Sequence, residues 1–155
     1  MKISIEELSA FLEKSNKSTY ANKDAPRATS SRLKSEDYHF EEDNLIYHDT
    51  YFGGRDFIGE EIVYKDNEPV WGMNYYGYIL QPEIKENELY AFLREALMQE
   101  CTDILPIRGP KSFENGSWKY INLPKGELGR FTGKEEIYRD DKLVYVADYH
   151  GGFIE

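Results

Sequence analysis

A single cysteine, Cys101, stands among 155 residues. No intrachain disulfide can form, so a reducing, cytoplasmic compartment is the expected setting. Positive charge is scarce too: 19 Lys and Arg face 29 Asp and Glu, for a formal net charge of −10. Nucleic-acid surfaces draw their affinity from clustered Lys and Arg, so direct nucleic-acid binding is not expected. No stretch approaches the ~18 uninterrupted apolar residues of a membrane span, and Met1–Ile5 lacks the apolar core of a secretion signal. The motifs of dedicated chemistry are also missing: no Gly-x-Gly-x-x-Gly, no Walker loop, no Gly-x-Ser-x-Gly elbow, no His-Glu-x-x-His. With three histidines, His39, His48 and His150, and no cysteine pair, neither a metal site nor a cofactor is expected, although Asp148 and His150 share a strand face. Cys101 reads as a packing residue near a helix end, where no N-terminal helix field lowers its pKa.

What is present is aromatic. Thirteen tyrosines within an aromatic share of 15% favour strands and amphipathic pockets. The length suits one domain, residues 1–155, with a core of its own. Ser4-Ile5-Glu6-Glu7 is a capping box, and Ile5, Leu8, Phe11 and Leu12 share one face of the short helix that follows, until polar residues from Ser15 end the pattern. Residues 16–35 carry only Tyr20 and Leu33 as large apolar groups and read as a long loop. Strands are predicted at 38–40 and 45–47, at 57–64 and 70–80 around the turn Lys65-Asp66-Asn67-Glu68, and at 117–122, 130–139 and 143–150. A second helix is expected within 82–102, where Leu89, Phe92, Leu93, Ala96 and Leu97 form one stripe. A loop stiffened by Pro106 and Pro110 follows it. The fold class is therefore α+β: a curved antiparallel sheet of about six to seven strands with two flanking helices.

The strongest internal signal is a repeat. Sliding the first hairpin onto the second aligns Phe57 with Phe131, Gly59 with Gly133, Glu61 with Glu135, Tyr64 with Tyr138, Asp66 with Asp140 and Tyr75 with Tyr149, without a gap. This predicts an ancient duplication of a unit of one helix and three strands. Pairing Lys65 with Glu68 and counting back places Glu61 opposite Gly72 and Glu60 opposite Met73. Glu60, between Ile58 and Ile62 on its face, is then expected in a dry environment that suits a general acid or a cation anchor.

Aromatic groups gather in the sequence near acids: Tyr51, Trp71, Tyr75 and Tyr149, with Met73 among them, beside Glu60, Glu61 and Glu135, and with His150 at the margin. We take these nine as candidate ligand-binding residues, since rings edged by carboxylates cradle a small aromatic or cationic ligand. The same rings also suit a homodimer interface. Gly53-Gly54-Arg55 offers either an anion-binding nest or a plain turn. A binding or sensor module is the leading expectation. The alternative is a small enzyme using Glu60, Glu61 or Glu135 as acid or base, with two titratable groups pushed apart in one cleft.

The run Tyr47-His48-Asp49-Thr50-Tyr51-Phe52-Gly53-Gly54-Arg55-Asp56-Phe57-Ile58-Gly59-Glu60-Glu61 resembles a bacterial family of unknown function. Pro69-Val70-Trp71-Gly72-Met73-Asn74-Tyr75-Tyr76-Gly77, Arg108-Gly109-Pro110 and Tyr149-His150-Gly151-Gly152 continue the likeness, which extends from Phe11 to the end of the chain. The resemblance implies a domain that occurs alone or behind a helix-turn-helix module, hence a regulatory interaction role beside a DNA-binding protein as a third possibility. It carries over no catalytic residue.

Overall fold

The capping box forms its first half: Ser4 Oγ accepts from the Glu7 amide at 3.1 Å, and helix α1 runs Ile5–Ser18. The Glu7 carboxylate turns instead to Lys65 Nζ, at 2.7 and 2.9 Å. In this computed structural model, which describes residues 2–100 and 108–155, α1 is followed by strands β1 (Glu36–Glu42), β2 (Leu45–Gly53), β3 (Asp56–Lys65) and β4 (Glu68–Ile79). Then come α2 (Glu86–Leu97), β5 (Ser112–Asn115), β6 (Trp118–Glu127), β7 (Arg130–Arg139) and β8 (Lys142–Phe153). The α+β class holds, but the sheet has eight strands rather than six or seven, all antiparallel, in the order β1-β2-β3-β4-β8-β7-β6-β5. Cys101 and the loop around Pro106 lie outside the described residues. Among the described residues no helix is long and apolar enough to cross a membrane.

The sheet is two four-strand meanders joined at β4 and β8, where Tyr75 lies directly opposite its counterpart Tyr149. Local chemistry repeats on both sides of that axis. Both long hairpins close on two left-handed residues, Asp66 and Asn67 (φ 52° and 65°) and Asp140 and Asp141 (φ 49° and 61°), a turn whose twist matches the strands. Both carry a bulge one step back, at Val63/Tyr64 and at Ile137/Tyr138. The first bulge corrects the register expected from the turn: Glu61 pairs with Met73 and Glu60 with Asn74. A slip of one residue exchanges faces. Trp71, Met73 and Tyr75 therefore share the helix-covered face with Glu61, and Glu60 loses its apolar partner.

The helices repeat as well. Glu7-Leu8-x-Ala10-Phe11-Leu12 matches Glu88-Leu89-x-Ala91-Phe92-Leu93, and the ion pair Lys65–Glu7 has its twin in Arg139–Glu88 at 3.2 Å. Each helix covers its own half: Leu8, Phe11 and Leu12 of α1 pack on Tyr47, Val63 and Trp71, while Leu89, Phe92 and Leu93 of α2 pack on Tyr120, Ile137 and Tyr145. The repeating unit is a helix with four strands, one strand more than expected.

Among the described residues no helix covers the opposite face of the sheet. Ile58, Tyr76 and Leu123 are exposed on it. Its β1 end is covered by the segment before β1, through Ser31 and Ser35 hydroxyls that bond Asp37.

Candidate functional site

Inward positions of β2, β3 and β7 place three acids in the interior: Asp49, Glu61 and Glu135 are 2%, 4% and 0% exposed. Asp49 and Glu61 are cross-strand neighbours. The single guanidinium among them is Arg108, which enters from the loop before β5 with a left-handed backbone, φ 73°. Its Nε donates to Glu135 Oε1 at 2.8 Å, and its Nη1 stands 4.0 Å from Glu61 Oε1. Tyrosines complete the shell: Tyr120 donates to Glu135 Oε2 and Tyr75 to Asp49 Oδ1, each at 2.5 Å. Gly59 and Gly133 leave room for the rings that reach across, since a Cβ at either position would overlap Tyr75 or Tyr149. The tyrosines' partners differ in charge between the halves: Tyr149 donates to Asn122 Oδ1 at 2.6 Å, where Tyr75 finds Asp49.

One arginine cannot compensate three buried carboxylates, and the excess is met by protons. Burial first, and the neighbouring Asp49 charge second, push Glu61 up to about 8. Burial raises Asp49 to about 6, against the Tyr75 hydrogen bond and the Arg108 charge. The two titrate as a pair. Both acids hold protons in the folded chain at pH values where the unfolded chain, with ordinary values of 3.8 and 4.5, has released them. Stability must then fall as pH rises from about 4 to about 8, by a few kcal/mol on the order of 1.4 kcal/mol per unit. Asp37 acts in the other sense. Burial would raise it, but hydrogen bonds from Ser31, Ser35 and His48 outweigh that and hold it well below the usual carboxylate range, so its contribution is lost only in strong acid. Urea midpoints measured from pH 4 to 9 should therefore peak on the acid side of neutrality and decline toward pH 8. The Glu61→Gln variant should flatten the decline. A midpoint that rises over that range would contradict the assignment.

Beside this cluster, between α2, the β2–β3 loop and the chain following α1, lies a cavity of about 230 Å³. Its walls are rings: Tyr20, Tyr51, Phe57, Tyr75 and Tyr90. Asp49, Glu86 and three arginines, Arg27, Arg94 and Arg108, supply its charge. Each guanidinium lies over a tyrosine: Arg94 over Tyr20 at 4.4 Å, Arg108 over Tyr75 at 5.3 Å and Arg27 over Tyr51 at 5.7 Å. Tyr90 and Arg94 project from the same face of α2 one turn apart. Tyr90 ties the wall to the loop by donating to Gly54 O at 2.6 Å. The glycine pair is a turn rather than an anion nest, for Arg55 is occupied by the carbonyls of Gln81 and Ile84 at 2.6 and 2.9 Å.

The nine residues expected at the site divide four ways. Tyr51 and Tyr75 line the cavity. Glu61 and Glu135 belong to the buried cluster behind it. Trp71, Met73 and Tyr149 are core, at most 2% exposed. Glu60 and His150 sit on the far face of the sheet, Glu60 with a side chain 37% exposed and 3.7 Å from Arg32. His150 faces an open groove there, opposite Asn74 and Thr132. His48 pairs with Asp37 at 2.6 Å, two strands away from β4. Among the described residues no three His, Cys, Asp or Glu side chains are grouped to hold a metal.

Sequence reasoning did not single out Tyr20, Arg27, Tyr90 or Arg94. A signal for two of them exists: in the helix repeat, Tyr90 and Arg94 stand where the first helix has Ser9 and Glu13. The loops diverge at the same place. Between the equivalent pairs Gly53–Phe57 and Gly126–Phe131 the chain holds three residues in the first half and four in the second, where Leu128 is buried on the α1 side, whereas the β2–β3 turn has Gly54 beside the cavity.

Comparison with known proteins adds a family and no chemistry. A family model described as Domain of unknown function (DUF5680) matches residues 49–154, a span that begins at Asp49 rather than Phe11. No curated protein and no solved structure matches the chain.

Proposed function

The chain belongs to this family of unknown function, and we propose that it is a binding module that holds a small, flat organic molecule in the cavity between α2 and the β2–β3 loop. One observation carries the reading: five aromatic rings and five charged groups, of which Asp49, Arg94 and Arg108 are buried or half-buried, converge on open space at the place where the two otherwise matching halves diverge. Typical ligand pockets of about 300–1,000 Å³ are mostly apolar with a few convergent polar groups; this cavity is smaller, about 230 Å³, and about half polar, which suits a single ring bearing a polar group. A fragment screen followed by chemical-shift mapping tests it. Flat aromatic fragments should bind the wild-type chain, lose at least about tenfold in affinity on Tyr90→Ala, and be indifferent to His150→Ala on the far face. Hits lost with His150→Ala and kept with Tyr90→Ala would move the site to the outer groove.

A small enzyme is the second reading, and the coupled pair Asp49 and Glu61 favours it, since two acids with separated pKa values are what acid–base chemistry uses. Of the two, Asp49 alone lines the larger cavity; Glu61 opens onto a space of about 20 Å³. A substrate in the cavity would therefore exchange its proton with Asp49.

A further inference from the structure

The cavity's charges differ in how far they are already satisfied. Arg27 is paired with Glu36 at 2.5 Å and bonds the Tyr51 hydroxyl at 2.8 Å. Arg108 is paired with Glu135 at 2.8 Å. Arg94 has no acid within 4.0 Å among the described residues, yet it is held in place: its Nε donates to Tyr20 O at 2.9 Å, and its guanidinium carbon lies over the Tyr20 ring, 4.4 Å from the ring centre. Both terminal nitrogens of this fixed guanidinium are left without a hydrogen bond to the described residues. A planar fork with immobilised stem and free tips is the geometry that grips a carboxylate through two parallel hydrogen bonds.

Cationic ligands fit less well. Three of the four tyrosines, Tyr20, Tyr51 and Tyr75, already carry a guanidinium over the ring, which leaves Tyr90 as the one tyrosine of the lining for a ligand cation to face. Asp49 has Tyr75 donating to one oxygen, and burial already pushes it up to about 6, so an anion beside it favours its protonated form. Glu86, two turns before Arg94 on α2 and so about 12 Å along its axis, lines the same cavity. Its charge repels an acid group at that end and directs it toward Arg94.

We infer that the ligand is a small aromatic carboxylate, its acid group held by the Arg94 fork and its ring lodged between Tyr20, Phe57 and Tyr90. This rests on the cavity being the binding site, and the test separates the two. Benzoate, phenylacetate and indole-3-acetate, their primary amides, and benzylamine and tryptamine are titrated calorimetrically into the wild-type chain, Arg94→Gln and Tyr90→Ala. Glutamine keeps a donor for the Tyr20 carbonyl, and circular dichroism melts check that both variants fold. The expected result is that at least one acid binds, its amide binds at least tenfold more weakly, and Arg94→Gln removes that preference. Acid and amide binding alike, amines binding best, or an acid affinity unchanged by Arg94→Gln would overturn the carboxylate assignment, and loss of that binding on Tyr90→Ala would still leave the cavity as the site. Binding indifferent to both Tyr90 and Arg94, or no binding by any of these compounds, would overturn both.

Discussion

Replacing Arg108 with methionine should lower stability by about 3–5 kcal/mol at neutral pH, the cost of leaving a buried charge without its partner. Glu135 is fully buried and receives its charged contacts from Arg108 at Nε and Nη2, both at 2.8 Å, with Tyr120 as its other donor among the described residues. Without the guanidinium, Glu135 joins Asp49 and Glu61 in a cluster with no positive charge, and each acid must take up a proton or draw in water. The deficit should therefore grow as pH rises and shrink in mild acid, where protonation relieves it. Adding Glu135→Gln to Arg108→Met should recover at least half of the loss, because an amide is cheaper to bury than a carboxylate and can still accept from Tyr120. Thermal melts of the two variants at pH 5 and pH 8 read this directly. An Arg108→Met chain as stable as wild type at pH 8 would show that the three acids are not mutually buried as described.

How much of this was legible beforehand depends on how local the signal was. The Ser4 cap, the Asp66-Asn67 turn and the apolar stripe from Leu89 to Leu97 each act within a few residues, and each formed as expected, whereas the Glu7 carboxylate left the cap for Lys65 across the fold. The repeat was visible in Phe57/Phe131 and Gly59/Gly133 because those pairs answer to contacts that recur in both halves. β5 was missed because Ser112–Asn115 has one apolar residue, Phe113, and lies at the sheet edge, where no alternation is enforced. The end of α1 was hidden for a related reason. Ser15 and Thr19 donate their hydroxyls back to the carbonyls of Phe11 and Ser15 at 2.7 and 2.8 Å, so polar residues sit fully buried in the last turn and hydropathy reads them as loop. That error concealed Tyr20 and Arg27, which the longer helix delivers to the cavity. The bulge at Val63 and Tyr64 had the largest consequence: it left no mark on residue types and transferred Trp71 and Met73 from the face of Glu60 to that of Glu61.

Trp71 was expected to act in binding, and its surroundings now make it a test of the interior instead. The indole is 1% exposed, stacks on Phe131 with centroids 5.7 Å apart and planes at 21°, and donates Nε1–H to Leu128 O at 2.9 Å. Its position in the sheet joins the halves: Trp71 is on β4, Phe131 on β7, and Leu128 in the turn that fills the α1 side. Trp71→Ala removes the largest fully buried side chain, so a loss of about 3–5 kcal/mol is expected, lowering the melting temperature by roughly 6–20 °C for a chain of this size. Trp71→Phe keeps the stacking but leaves the Leu128 carbonyl unsatisfied, a smaller loss of about 1–3 kcal/mol. Neither variant removes a wall of the cavity between α2 and the β2–β3 loop, so ligand affinity measured below the melting transition should stay within about threefold of wild type, a change under ~1 kcal/mol. A Trp71→Ala chain that melts with the wild type but no longer binds would reverse the assignment and return the indole to the site.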